Sequence, residues 1–258
     1  MADEPGLAFD AIPEIYDRVR PSYPDALLDE LFSHFPEPPV RVIESGPGTG
    51  QATASLLARG AHVTAAEPGP RMAEFLRKKF AGEERLEVVN AKFEDAPLNG
   101  PVDVVFAATS FHWVDPEVRL RKAHGLLRVG GALAIVSTNQ VRSDADRGYF
   151  DRCQPIYKKY YPWEEAPELP TEDVVPDEFS EIDASDLFGP AQLFRYRWDQ
   201  TYTTKQYEDL VRSYSVTNMM APDQREALIA DLCALADAEF GGQVTRPLVI
   251  TLTLAFLG

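Results

Sequence analysis

The segment from Val40 to Gly50 restricts the fold of this chain more than any other part of its sequence. It begins with apolar residues, reaches Glu44, and then places glycine at every second position, Gly46, Gly48 and Gly50. The apolar residues predict a buried strand over 40–43, and glycines, which lack a Cβ, let the backbone turn tightly and lie against a ligand. Helix formers follow over 51–59. A strand, a glycine loop and a helix in this order predict the first crossover of a nucleotide-binding type of fold, with the ligand at the strand's carboxyl end.

The spacing of the glycines separates three kinds of loop. A dinucleotide fingerprint needs a small residue at position 51 or 53, and this chain has Gln51 and Thr53 there. A phosphate loop needs a Lys and then a Ser or Thr after its last glycine, and no such pair follows Gly50. The pattern that fits is an acidic residue and three alternate glycines, which resembles the first motif of class I S-adenosylmethionine-dependent methyltransferases. A tight turn that binds no ligand is the alternative.

Short apolar stretches alternate with amphipathic stretches through the next part of the chain. The sequence predicts strands over 61–66, 86–89, 102–107 and 132–137, and helices over 70–80 and 116–127, the last stopped by Gly130-Gly131. Beyond residue 138 the alternation ends, and we predict strands over 191–202 and 247–256 and helices over 205–214 and 223–240. This order indicates a doubly wound, mostly parallel, seven-stranded α/β sheet covered by helices on both faces.

We predict one domain over 1–258 that carries two additions to this sheet. Residues 8–24 have apolar residues at helical spacing before a Pro-containing stretch, which predicts an N-terminal helical lid. Residues 139–190 are rich in aromatic residues and then in prolines and acidic residues, which predicts an inserted cap. Residues 164–186 hold ten acidic residues and no basic one. This acidic run is either solvated surface or a means of selecting a cationic substrate.

Composition excludes several classes of partner. The net charge is −16, from 41 acidic and 25 basic residues, the opposite of the balance that nucleic acids or anionic membranes attract. No apolar stretch approaches the roughly 20 residues that span a bilayer. Cys153 and Cys233 are far apart and have no metal-like spacing. We therefore expect a cytoplasmic protein without a disulfide framework, and no metal site, because no set of His, Cys and carboxylate residues has ligand spacing.

Acidic and aromatic residues follow the predicted second and third strands. Glu67 ends the second strand, where a carboxylate can accept both hydroxyls of a ribose, although it could instead cap the helix that follows. Phe93 and Glu94 come after the third strand. The phenylalanine could stack on a purine and the glutamate accept from its amine. The alternative is a core phenylalanine beside a solvated acid.

The predicted fourth strand leads into a loop with several polar and aromatic residues. Thr109, Ser110, His112 and Trp113 lie there, at the sheet edge where ligands bind in such folds. His112 is a candidate general base because an imidazole has a pKa near neutrality. A lone histidine is as readily structural.

Taken in order, these segments resemble the small-molecule class I S-adenosylmethionine-dependent methyltransferases, the group that includes trans-aconitate methyltransferase. The N-terminus adds to the resemblance through Phe9-Asp10, Tyr16-Asp17-Arg18, Arg20-Pro21 and Tyr23-Pro24. The resemblance covers about residues 8–138 well and the rest only in outline. Lys92 departs from it, because many relatives have an acid at that position facing the adenine.

The resemblance implies a cofactor, S-adenosylmethionine, whose product is S-adenosylhomocysteine. It implies that the methionine portion lies against the glycine loop and Glu44, the ribose on Glu67, and the adenine beside Phe93 and Glu94, with Thr109 also at the cofactor. Tyr16 and Arg20 would close over the methionine end as a lid, with Tyr16 also serving the chemistry. We expect the acceptor wall to be aromatic, with candidates Tyr23, Trp113, Tyr157, Tyr160 and Trp163.

Together, the residues and the resemblance predict transfer of a methyl group to an O, N or C nucleophile of a small molecule. His112 would remove a proton where the acceptor carries one, whereas a carboxylate acceptor would need no base. Two alternatives remain open. One is a nicotinamide-dependent oxidoreductase on the same class of fold, and the other is a regulatory protein that binds S-adenosylmethionine without catalysis.

Overall fold

The computed structural model describes residues 10, 12–160, 169–175 and 179–258. Its helices are α1 (Pro13–Val19), α2 (Asp25–Ser33), α3 (Gln51–Ala58), α4 (Pro70–Lys79), α5 (Arg119–Leu126), α6 (Tyr149–Arg152), α7 (Gln154–Tyr160), α8 (Thr204–Arg212), α9 (Ser215–Asn218) and α10 (Pro222–Glu239). Its strands are β1 (Arg41–Ser45), β2 (His62–Ala66), β3 (Leu86–Val89), β4 (Val102–Ala108), β5 (Leu127–Gln140), β6 (Gln192–Thr203) and β7 (Gln243–Phe256).

The seven strands form one sheet in the order β3-β2-β1-β4-β5-β7-β6. The first five of these strands pair in parallel. β7 runs antiparallel to β5, since Gly130 donates its backbone N–H to Leu257 and Val141 donates to Pro247. The predicted doubly wound, mostly parallel, seven-stranded sheet is therefore confirmed. The strand order reverses between β1 and β4, which is the point where such sheets bind ligands.

The described residues form two compact units. The sheet unit comprises the described parts of Ser22–Thr138, Pro176–Tyr196 and Ile250–Gly258, and the helical unit comprises those of Met1–Pro21, Asn139–Val175 and Arg197–Val249. This grouping places α8 and α10 with α6 and α7. The single domain over 1–258 with a cap over 139–190 stays a prediction. Sequence spacing does not show which distant helices share a core.

Each unit has its own apolar core. In the sheet unit, the core is built from strand residues such as Ile43, Val105 and Leu133, each at most 1% exposed. In the helical unit, Tyr149 packs edge-to-face against Tyr207 and Phe240, with ring centroids 5.5 and 5.2 Å away. Such edge-to-face pairs add specific geometry to the burial of large side chains.

The structure corrects two predicted boundaries. α5 begins at Arg119 rather than at position 116, because Asp115 holds a turn there by accepting from the Glu117 N–H at 2.9 Å. Gly130-Gly131 does not end this helix but lies inside β5, which begins at Leu127. The register between β4 and β5 shifts at this point, so a positive φ of 71° at Gly130 is accommodated within a strand. No helix of the described ranges is long and apolar enough to cross a bilayer.

Candidate cofactor site

The candidate site occupies the carboxyl ends of β1, β2 and β4 in the sheet unit. These strands are neighbours in the sheet, so the loops that leave them lie along one edge. The β1 loop carries the glycines, the β2 loop carries Glu67, and the β4 loop carries Thr109 to Trp113. The structure thus brings together residues that are up to about seventy positions apart in the chain.

The glycine loop needs glycine for two separate reasons. Gly46, Gly48 and Gly50 all have positive φ, at 65°, 58° and 89°, a region that strains other residues. At Gly50, moreover, an added Cβ would lie 2.6 Å from side-chain atoms of both Leu76 and Phe80. Turn and packing together therefore fix this loop against α4.

Glu67 ties the glycine loop to the end of β2. One carboxylate oxygen accepts from the Gly48 N–H at 2.9 Å and the other accepts from the Gly69 N–H at 2.8 Å. The side chain is buried. Both carboxylate oxygens therefore take part in bonds to the loops that follow β1 and β2. The sequence indicated that Glu67 binds a ribose or caps a helix, and it did not predict the hydrogen bond from Gly48 to Glu67.

Glu44 is a second buried carboxylate beside the loop. Its carboxylate accepts a hydrogen bond from the Thr53 hydroxyl at 2.7 Å, and the residue is 1% exposed. Burial raises its pKa to about 7, an effect that the Thr53 bond opposes and the charge of Glu67 reinforces. Thr53, whose presence argued against a dinucleotide fingerprint, therefore serves the first acidic residue of the motif.

Two further side chains support the loops, and sequence reasoning missed both. Asn90 donates to the backbone carbonyls of Glu67 and Pro68, at 2.8 and 3.1 Å. Lys79, at the end of α4, donates to the carbonyl of Thr49 at 3.0 Å. Their signal in the sequence is weak, because a polar residue after a strand and a lysine late in a helix are common.

The loop after β3 joins the loop after β4 instead of presenting an aromatic face. Phe93 is 2% exposed and packs in the sheet-unit core, which favours the core alternative over stacking on a purine. Glu94 accepts from the Asp115 N–H at 2.8 Å. Lys122 lies 5.5 Å from the Phe93 ring and donates to the Glu94 carbonyl at 2.7 Å. Burial lowers the pKa of Lys122.

The loop after β4 is strained at its first residue and tied to β1 at its second. Thr109 has a φ of 52°, and its hydroxyl lies 3.3 Å from that of Tyr23. Ser110 donates its hydroxyl to the Ser45 carbonyl at 2.5 Å. A non-glycine residue in the left-handed region is uncommon and often marks a functional loop.

His112 and Trp113 follow in a single 3-10 turn and are both exposed. Their ring centroids lie 4.7 Å apart at 47°. Both predicted residues therefore lie at the surface of the loop, where a small molecule can reach them. No group of three metal-ligating side chains is found in the part of the chain that the structure describes.

The remaining predicted site residues belong to the helical unit. The Arg20 guanidinium lies 4.9 Å from the Tyr16 ring centroid, and Arg20 donates to the Ser213 hydroxyl and carbonyl at 3.2 and 3.1 Å. Tyr157 is half-buried, and Tyr160 donates its hydroxyl to Asp231 at 2.7 Å. Trp163 lies outside the described residues. The lid and acceptor-wall roles of these residues stay predictions.

Comparison with known proteins finds a similarity in the central part of the chain. Residues 43–135 match the family model described as a methyltransferase domain. Uncharacterized methyltransferases of Mycobacterium tuberculosis and Mycobacterium bovis are 37% identical over 131 residues, which is 50% of this chain and 51% of theirs. The chain therefore spans about half the length of these relatives.

Solved structures share the fold. A candidate type II methyltransferase from Anaeromyxobacter dehalogenans superposes with a TM-score of 0.59 at 22% identity, over 92% of this chain and 96% of that one. Phosphoethanolamine N-methyltransferase 2 of Haemonchus contortus, solved with phosphomonomethylethanolamine and S-adenosylhomocysteine, gives 0.54 at 12% identity, over 96% of this chain and 58% of that one. At these identities the likeness shows the fold alone. Residues 43–135 of this chain are therefore similar to methyltransferase domains in sequence, and the order of the sheet strands agrees with that similarity.

Proposed function

We propose that this protein is an S-adenosylmethionine-dependent methyltransferase that acts on a small molecule. The observation that carries the proposal is the buried Glu67 carboxylate, which accepts from the Gly48 N–H of the glycine loop at 2.9 Å. S-adenosylmethionine carries a sulfonium and an ammonium group, which suit such a setting. A nicotinamide dinucleotide brings a pyrophosphate instead, and the charge of the Glu67 carboxylate beside the loop would oppose it.

The loop geometry supports the same cofactor. The positive φ values of Gly46 and Gly48 turn the backbone where the methionine portion would lie, and Glu67, the proposed ribose ligand, accepts from the Gly48 N–H. In our proposal Thr109, on the loop after β4, borders the cofactor. Glu94 is proposed to lie near the adenine and to fix the loop after β4 there by accepting from the Asp115 N–H. The Haemonchus contortus enzyme with the same fold was solved with S-adenosylhomocysteine.

When bound, S-adenosylmethionine supplies an electrophilic methyl group for in-line displacement at carbon. The protein's task is to hold the acceptor close to that methyl, and such positioning can contribute about 7–11 kcal/mol to lowering the barrier. His112 is the proposed base for a hydroxyl, amine or carbon acid, because its ring is exposed on the loop after β4. Tyr23 and Trp113 are proposed to form part of the acceptor wall. We also propose a cytoplasmic location, from the cysteine content.

Calorimetric titration of the intact protein with S-adenosylhomocysteine, and separately with NADH, tests the cofactor. We expect saturable binding of the first and none of the second. Binding of NADH alone would overturn the proposal in favour of the oxidoreductase alternative.

Catalysis needs a separate measurement. Methyl-labelled S-adenosylmethionine is incubated with the protein and a panel of small alcohols, amines and carboxylic acids, and transfer of the label to each compound is measured. A labelled product establishes the enzyme. Tight binding of S-adenosylhomocysteine with no transfer to any member would favour the non-catalytic binder.

A further inference from the structure

The helical unit contains an arginine that the proposed function does not use. Arg246 lies on β7, half-buried, and its nearest described partners are Gln140 at the end of β5, Tyr202 on β6 and Tyr214 just after α8. We refer to these four residues as the Arg246 cluster.

Arg246 is held by an amide and not by a carboxylate. Gln140 accepts from its Nε at 3.1 Å and from one terminal nitrogen at 3.0 Å. These bonds use two of the five N–H donors of a guanidinium, which leaves three. Among the described residues, no ion pair includes Arg246, and none of its nitrogens is sealed from solvent without a partner. No carboxylate among the described residues therefore neutralises this guanidinium.

Other cations of the same unit are arranged differently. Arg152 pairs with Glu239 at 2.7 Å, Lys159 with Asp231 at 2.9 Å, and Arg212 with Glu226 at 2.5 Å. A half-buried guanidinium held only by neutral groups keeps a charge that the unit does not compensate. Such a charge is costly to bury without a counterion, so its position favours an anion that comes from outside the chain.

Tyr202 supplies a second, independent donor. The residue is 3% exposed, and its hydroxyl is buried with no hydrogen-bond partner among the described residues. Buried hydroxyls are nearly always satisfied, so this one calls for an acceptor. Burial raises the pKa of Tyr202, and the charges of Arg246 and Arg20 oppose that rise, as does a contact of the Arg246 guanidinium with the hydroxyl. A hydroxyl oxygen that meets a guanidinium N–H still has its own O–H to donate.

Tyr214 brings the two arginines to one ring. Arg246 lies 5.7 Å and Arg20 lies 5.1 Å from its ring centroid. Each contact is favourable alone, but two like charges at one ring repel each other. An oxyanion beside the ring would relieve that repulsion, and it could accept from guanidinium N–H groups and from the Tyr202 hydroxyl.

We propose that the Arg246 cluster binds a small carboxylate or phosphate anion. Guanidiniums bind both anions well, because their planar donors match two oxygens at once. The chain carries a net charge of −16, so its overall field does not attract anions, and selection must come from these local donors.

The test is calorimetry of the intact protein with malonate and with inorganic phosphate, at constant ionic strength, with uncharged malonamide as the reference. We expect saturable binding of at least one anion and none of malonamide, and the stronger of the two identifies the class of anion that the cluster prefers. Arg246→Gln should weaken binding at least about tenfold, because a charged hydrogen-bond donor is lost. Tyr202→Phe, which removes only the hydroxyl, should weaken it by about fivefold. Arg152→Gln, at an exposed ion pair of the same unit, is the matched control and should bind as wild type does.

Saturable binding of neither anion to the wild type would overturn the inference, as would wild-type affinity in both Arg246→Gln and Tyr202→Phe. Where Arg246→Gln does not fold, as judged by circular dichroism, Tyr202→Phe decides alone. Titration with S-adenosylhomocysteine separates the two proposals. If that ligand binds but the anions do not, only the present inference fails, and if the anions bind but that ligand does not, only the proposed function fails.

Discussion

The carboxylate of Glu67 and the backbone N–H of Gly48 are joined by a hydrogen bond of 2.9 Å. The residue at the end of β2 therefore fixes the conformation of the loop that follows β1. The same carboxylate accepts from Gly69 at 2.8 Å, so one side chain holds two loops together. A change at this position should affect the shape of the candidate site as well as any ligand contact.

We expect Glu67→Gln to weaken binding of S-adenosylhomocysteine at least about tenfold, because each bond to a charged group is worth about 1.5–3 kcal/mol and one amide position can no longer accept. Calorimetry of wild type and variant measures this. Glu87→Gln, at an exposed site on β3, is the control and should leave the affinity unchanged. Equal affinity of wild type and Glu67→Gln would contradict the role of Glu67.

Gly50→Ala should destabilise the protein more than Gly60→Ala. Both glycines have positive φ, at 89° and 82°, so the backbone strain is similar. Only at Gly50 would the new Cβ meet other atoms, Leu76 and Phe80 at 2.6 Å, whereas nothing lies within 4 Å at Gly60. Overpacking of this kind costs about 1–3 kcal/mol. Urea unfolding of the two variants measures the difference, and equal losses would show that the packing against α4 is unimportant.

Glu44 should make the protein less stable as the pH rises from about 4.5 to 7. Its pKa is raised to about 7 in the folded state, above the ordinary value of 4.5, so the folded protein holds a proton that the unfolded chain has released. The contribution of Glu44 to the free energy of unfolding is complete below the pKa of the unfolded state. It then falls, by up to about 3 kcal/mol in total, until the pH passes the pKa of the folded state.

Glu44→Gln removes that dependence while its amide oxygen can still accept from Thr53. Urea unfolding gives the free energy of unfolding of both proteins at about pH 5 and about pH 8. The change between the two pH values in the wild type, minus the same change in the variant, is the contribution of Glu44. We expect the variant to gain stability relative to wild type at the higher pH. The same difference at both pH values would contradict the assignment.

His112→Gln should lower turnover about 100-fold and remove the limb of the pH profile that reports the base, with little effect on the affinity for S-adenosylhomocysteine. The reason is that the imidazole would take the acceptor's proton in the transition state. His62→Gln, at an exposed position on β2, is the matched control and should retain turnover. Unchanged turnover and pH profile in His112→Gln would exclude the role of base.

Local sequence patterns predicted the positions of the main strands and helices, because the spacing of apolar residues within each element depends on that element alone. β3 spans Leu86–Val89 as predicted, and Glu67 lies directly after β2. Contacts between distant residues were not predictable in the same way. The bond from Thr53 to Glu44 joins a helix to a strand, and the burial of Phe93 depends on Lys122 and the core beneath it. The grouping of α8 with α6 depends on Tyr149 and Tyr207, whose positions in the sequence carry no sign of the contact.

The close approach of Gly46 to Ser110 affects how this site can change over generations. An added Cβ at position 46 would lie 2.6 Å from the Ser110 Cβ, while the Ser110 hydroxyl holds the Ser45 carbonyl. Neither position is free to vary alone, since a larger residue at 46 collides with the serine and a larger residue at 110 collides with the backbone of the loop. Descendants of this chain should therefore inherit the two residues as a pair.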